Sequence, residues 1–206
     1  QHVYSVIDKG RAMKMPFEGM SLLDYAINAS LVLSNIAIYR QDKAGLISFA
    51  DRIGTLLPAE RTPMQMHRIM ESLYNQTTTF SESNFEALHA HLRVRLRQRS
   101  LMFLYTNFET LSALHRQIPY LRGIARDHLL VVIFFENTEL KEYLSRPAAT
   151  TEEIYVKAIA EKFALEKKQV VRELAQHGIM SILTPPQGLT VNTLNKYFEL
   201  KARRAL

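Results

Sequence analysis

Apolar residues recur along this chain at two alternating spacings. Near-continuous apolar runs at residues 3–7, 44–50, 101–105, 129–135 and 179–183 predict short strands covered on both faces. Residues 54–57 predict a short edge strand after 44–50, with Asp51 and Arg52 in the turn. Between these runs the spacing lengthens to that of a helix. Leu22, Ala26, Ala29, Leu33 and Ile36 share one face of a helix over 21–40, and Leu88, Leu92 and Leu96 recur at i, i+4.

Local punctuation places the helix ends. Thr62, Pro63 and Gln65 spell an N-cap, a proline at the first helical position and a reciprocal glutamine. Ser83 with Glu86, and Thr150 with Glu153, predict two further capping boxes. Gly178 fits a left-handed C-cap with His177 in the last turn, and Thr190 is placed to cap a final helix carrying Leu194, Tyr197, Phe198 and Lys201. Strands alternating with helices predict an α/β fold. Its sheet is doubly wound and mainly parallel, with helices on both faces and right-handed crossovers. Residues 145–150, containing Pro147, are the best internal linker; a helix and a strand still follow, so 1–206 reads as a single domain.

Composition narrows the options. With 206 residues, 47% hydrophobic, the chain can bury a substantial core. The absence of cysteine excludes disulfides, thiolate metal sites and cysteine nucleophiles, and fits a reducing compartment. The longest apolar run, 129–135, falls short of the roughly 20 residues of a spanning helix. Gln1 precedes the first strand almost directly, which reads as the C-terminal fragment of a longer protein. The net charge of +6 concentrates in Arg93, Arg95, Arg97 and Arg99, with no aromatic residue interleaved for base stacking. Their simplest role is as cations suited to a helix C-terminus, with electrostatic binding of nucleic acid or an acidic surface as the alternative.

Candidate chemistry centres on Asp8, Lys9, Gly10, Arg11 and Ala12, directly after the first predicted strand. Ligands of open α/β sheets bind beyond the carboxyl ends of strands, so Asp8 is a candidate metal ligand, nucleophile or turn residue. A phosphoryl-transfer nucleophile needs a second acid and a strong magnesium site, which Lys9 and Gly10 do not offer. No glycine-rich phosphate loop and no Gly-x-Ser-x-Gly elbow is present. His89 and His91 lie two apart on a predicted helix and point to different faces, and His67, His115 and His177 are isolated. The expectation is therefore no catalysis. Met13, Met15, Pro16, Phe17 and Met20 make the next loop unusually apolar, which fits either a contact site or a loop packed on its own domain.

The order of three motifs resembles the von Willebrand factor type A domain. Asp8 to Ala12, then Ser83-Asn-Phe before a helix, then Tyr105-Thr-Asn107 ending a later strand, fall where that family keeps its metal-ion-dependent adhesion site. Leu23-Asp-Tyr-Ala, Gly45-Leu-Ile-Ser-Phe and Asn195-Lys-Tyr-Phe-Glu-Leu-Lys-Ala-Arg further resemble a bacterial domain-of-unknown-function family encoded beside MoxR-type AAA+ ATPases. The resemblance covers essentially the whole chain. It implies one short antiparallel edge strand, a membrane-anchored parent on the cytoplasmic face of the bacterial inner membrane, and a fragment that is soluble by itself. It also implies a domain that binds proteins, with a MoxR-type ATPase as partner.

Matched to the adhesion pattern Asp-x-Ser-x-Ser, Asp8 is kept, while Gly10 and Ala12 stand where the serines belong. Ser83 stands for the pattern's threonine and Asn107 for its later aspartate. Magnesium prefers six oxygen ligands, and Asp8, Ser83 and Asn107 supply one carboxylate, one hydroxyl and one amide oxygen. Two readings follow: a weak magnesium site, or a metal-free structural cluster. For an interaction domain of this kind the expected contact surface is the loops at 9–20, 77–83 and 107–110; the apolar character of the first points to Met13, Met15 and Phe17, and Arg11 is a candidate to meet a partner carboxylate in place of a metal.

Overall fold

The computed structural model describes residues 1–203 except 75, 77, 146, 148 and 149, and omits the side chains of 139, 141 and 142. Thr77 of the expected contact loop and three positions of the expected 145–150 linker therefore lie outside the described residues.

Six strands form the main sheet: β1 (His2–Asp8), β4 (Lys43–Phe49), β5 (Ile53–Glu60), β6 (Leu101–Tyr105), β7 (Leu129–Phe135) and β8 (Met180–Thr184). Their order is β5-β4-β1-β6-β7-β8, with only β5 antiparallel to its neighbour. A separate two-stranded hairpin, β2 (Pro16–Phe17) with β3 (Met20–Ser21), follows the first strand. The expected edge strand is longer than 54–57. Its register with β4 shifts at two points, so it bends along the sheet edge.

Strand side chains alternate between two cores. Val3, Ile7, Leu101, Phe103, Tyr105, Val131, Ile133 and Phe135 face one side, under α1 (Leu22–Tyr39), α2 (Gln65–Tyr74) and α7 (Leu189–Ala202). Tyr4, Val6, Met102, Leu104, Leu130, Val132 and Phe134 face the other, under α3 (Phe85–Arg95), α4 (Leu111–Asp127) and α6 (Thr151–Gln176). The short α5 (Thr138–Ser145) packs on α6. Helix α1 is long and apolar enough by composition to cross a membrane, contrary to the estimate from apolar runs. Here it is a core helix, burying Leu22, Ala26, Ala29 and Leu33 against the sheet.

Some helix ends fall where the capping signals put them. Thr150 and Glu153 form the reciprocal box opening α6, and Gly178 (φ 71°) follows α6 in the left-handed conformation. Others do not. Asn84, not Ser83, caps α3, because the Ser83 hydroxyl is engaged elsewhere. Gln65 caps nothing; it is buried and donates to the carbonyls of Ala44 and Pro58, tying α2 to the β4–β5 edge. Helix α7 starts at Leu189 after a 3-10 turn over Pro186–Gly188, ahead of the expected cap Thr190.

One close approach fixes the edge. A Cβ at Gly45 would stand 2.4 Å from Cε1 of Tyr4 and 2.9 Å from the Leu57 carbonyl oxygen. The Tyr4 hydroxyl in turn accepts from the Ala59 amide across β4 and β5 (3.0 Å). Gly45→Ala is expected to displace that ring and cost about 1–3 kcal/mol by urea unfolding; an unchanged midpoint contradicts this packing.

Candidate functional site

The chain leaves β1 toward β4 on one side and returns to β6 on the other, so the winding direction reverses between β1 and β6. Asp8 ends β1, and Thr106 and Asn107 directly follow β6, which brings all three to the crevice where such folds place ligands.

Asp8 is buried, and both of its oxygens take protein donors. Oδ1 accepts from the Gly10 amide (2.8 Å) and from the Ser83 hydroxyl; Oδ2 accepts from the Thr106 hydroxyl (2.7 Å). Burial holds its carboxyl above the usual carboxylate range, against the pull of those same three hydrogen bonds. A Cβ at Gly10 would lie 1.9 Å from Ser83 Oγ. The volume that a serine side chain would need at position 10 is thus filled by the Ser83 hydroxyl.

The surrounding loops are laced to one another. The Arg11 amide donates to the Ser81 carbonyl (3.0 Å), and the Thr78 hydroxyl donates to the Lys9 carbonyl (2.7 Å). The Asn84 amide donates to the Ala50 carbonyl (2.8 Å), holding the start of α3 to the end of β4. Phe80 between them adopts φ 52°, a conformation costing an L residue roughly 1–2 kcal/mol. Its ring is partly buried against the core, and the Lys14 ammonium lies 5.7 Å from the ring centroid.

Asn107 belongs to the same crevice but reaches different partners. Its Nδ2 donates weakly to the Ala12 carbonyl (3.4 Å), while its Oδ1 accepts from Lys167 Nζ of α6 (2.6 Å). The Lys167 ammonium also lies 5.6 Å from the centroid of the Phe134 ring. Burial pushes this amine down to about 8, partly offset by the negative charge of Glu109.

The flanking cations diverge. Lys9 turns away toward the β4–β5 edge, where its Nζ lies 3.1 Å from a Cβ built on Gly54. Arg11 is exposed, and its side chain makes no hydrogen bond or ion pair among the described residues. Met13, expected at the contact surface, is instead wholly buried among the residues under α1, because the 3-10 turn over Arg11–Met13 directs it inward. Met15 remains exposed and Phe17 half-exposed, its ring edge-on to Tyr25. Arg93, Arg95, Arg97 and Arg99 are exposed around the end of α3 and the approach to β6, at the opposite end of the sheet.

Beside the crevice lies a cavity of about 600 Å³. Met15 and Phe17 of the hairpin, Leu140 and Leu144 of α5, and Phe163 of α6 form its walls, and Asn107 and Lys167 reach it from the crevice side. Two participants escaped the sequence reading. Thr106 stood inside the Tyr105-Thr-Asn107 motif, one position from the residue singled out. Lys167 stands in a Glu-Lys-Lys run like that of any solvated helix face, and nothing local marks it.

No family model matches this sequence, and no curated protein sequence matches it. Several solved structures are similar in fold. The PilB minor pilin from Streptococcus sanguinis has a TM-score of 0.59 at 8% identity, covering 97% of this chain and 61% of the pilin. An aerotolerance-related membrane protein from Bacteroides fragilis has a TM-score of 0.58 at 12% identity, covering 98% of both chains. BatB from Bacteroides thetaiotaomicron has a TM-score of 0.58 at 13% identity, also covering 98% of both. The chain therefore spans about three fifths of the pilin and nearly all of the two Bacteroides proteins. With the strand order above, these likenesses make the fold von Willebrand factor A-like.

Proposed function

We propose that this domain is a non-catalytic protein-interaction module whose metal-ion-dependent adhesion site has closed upon itself. The observation that carries the proposal is the saturation of Asp8 by the Gly10 amide, the Ser83 hydroxyl and the Thr106 hydroxyl. Of the oxygens a magnesium ion would need, that of Ser83 donates a hydrogen bond to that of Asp8, and a third, on Asn107, faces an ammonium. That donor set does not fit a hard divalent cation, which requires several oxygen lone pairs aimed at one point.

The contact surface in this reading is the set of loops beyond the carboxyl ends of β1 and β6, with exposed Arg11 as the cation that meets a partner carboxylate. The partner is a MoxR-type AAA+ ATPase or a protein it remodels, reached from a parent anchored on the cytoplasmic face of the bacterial inner membrane. The name of the Bacteroides fragilis neighbour, a membrane protein, is in keeping with such a parent.

Titration calorimetry with magnesium chloride tests the closed site. No saturable heat is expected in the micromolar range, and tight one-to-one binding would overturn the reading. For the surface, Arg11→Glu is expected to weaken capture of the cognate MoxR-type ATPase at least tenfold by biolayer interferometry, in line with a charge-assisted contact turned repulsive. Unchanged capture removes Arg11 from the contact.

A further inference from the structure

The cavity beside the crevice has the size of a small-ligand pocket, about 600 Å³ against roughly 300–1,000 Å³ for such sites. Its walls are mainly apolar, with Met15, Phe17, Leu140, Leu144 and Phe163 contributing. Lys167 supplies a cation at the crevice side. Its ammonium is anchored by one hydrogen bond to Asn107 Oδ1 (2.6 Å) and lies over the Phe134 ring. Among the described residues it has no carboxylate within ion-pair distance; Glu109 acts on it only at longer range. An ammonium has three donors, and this one spends a single donor on protein.

We propose that this cavity binds an aliphatic monocarboxylate, with its carboxylate on Lys167 and its chain along the Met15–Phe17 and Leu140–Phe163 walls. Charge decides the head group: an anion adjacent to a desolvated ammonium gains a charge-assisted hydrogen bond, and a neutral head does not. The walls decide the tail, since they offer methyl, thioether and ring surface. Glu109 and Glu136, which also line the cavity, repel a dianion about twice as strongly as a monoanion, so a single negative charge is favoured. Asn107 positions the lysine; the sequence match had assigned it to a metal. This site shares Met15, Phe17 and Asn107 with the crevice loops, but its test uses a different probe and a different variant from the Arg11 and magnesium tests, so their failures are distinguishable.

Octanoate and octanol, which share a chain and differ in charge, are the probes. Calorimetry on the intact chain is expected to show saturable one-to-one binding of octanoate, with octanol at least tenfold weaker. Lys167→Met is expected to lower octanoate affinity at least tenfold and leave octanol unchanged. Should that variant fail to fold, the wild-type protein decides the matter alone: octanoate must shift the Lys167 ε-methylene carbon resonance and octanol must not. Equal affinity for the two probes, absence of saturable octanoate binding, or an unmoved Lys167 resonance overturns the proposal. So does a second copy of the chain seated in the cavity, visible as concentration-dependent dimers that octanoate does not dissociate.

Discussion

Asp8→Ala is expected to destabilise the protein by about 3 kcal/mol in urea unfolding, although Asp8 makes no ion pair among the described residues. The substitution leaves the Gly10 amide, the Ser83 hydroxyl and the Thr106 hydroxyl without their acceptor, and each buried unsatisfied group costs about 1–3 kcal/mol. Part of that cost is returned because a buried carboxylate is also removed. Asp8→Asn separates the two effects. Its Oδ1 keeps the Gly10 and Ser83 donors, and its Nδ2 donates to a rotated Thr106 hydroxyl. Burial raises the folded-state pKa of Asp8 above its unfolded value, so the native state binds the proton more tightly. That contribution is fully present below the unfolded pKa of about 3.9 and is lost as pH rises through the folded value. The asparagine variant should therefore match the parent near pH 4 and gain on it as pH rises. A parent that gains on the variant over that range, or an alanine variant within about 0.5 kcal/mol of the parent, would show that Asp8 does not hold the crevice closed.

The second large effect lies at the other end of the sheet and carries the opposite sign. Asp42 is buried between the end of α1 and the start of β4, where Oδ2 accepts from the Tyr197 hydroxyl and from Lys201 Nζ, both at 2.6 Å. Burial pushes its carboxyl up, but hydrogen bonds, those from Lys201 and Tyr197 first among them, outweigh it and leave the group below the usual carboxylate range. Its stabilisation is therefore present above the unfolded pKa and lost as pH falls through the folded value. Asp42→Ala is expected to cost about 2–3 kcal/mol near pH 7, with the penalty shrinking below about pH 4. A double-mutant cycle with Tyr197→Phe should return a coupling of about 1 kcal/mol. Additive single effects, or a penalty that grows on acidification, would contradict this arrangement.

The scaffold was legible because most of its strands are nearly continuous apolar runs, and such runs sit in a sheet covered on both faces. The order of those runs and of the helices between them led directly to a doubly wound sheet. Helix starts were legible where the capping residues turn back to their own helix. Thr150 and Glu153 cap as written, each side chain reaching the other's backbone amide. Ser83 and Gln65 do not, because each is drawn into a long-range hydrogen bond that a local pattern cannot show. The crevice was half legible. Asp8, Ser83 and Asn107 do converge on one end of the sheet, yet their partners are decided by packing. Gly10 admits the Ser83 hydroxyl into contact with Asp8, and α6 delivers Lys167 to Asn107 from 60 positions away. Met13 failed as a surface residue for the same kind of reason: a methionine in a loop looks identical whether the following turn aims it outward or inward.

Helix α7 also sets the order in which this polypeptide can mature on a ribosome. Tyr197 and Leu200 complete the layer over α1, and Tyr197 bonds to a residue 155 positions earlier. Until α7 emerges from the exit tunnel, the side of α1 that it covers is bare, and the nascent chain must keep that side from sticking to its neighbours. Contacts this distant in sequence close slowly. Helix α7 thus acts as a latch for the whole assembly, and a nonsense mutation just ahead of it should yield aggregates instead of a smaller working domain.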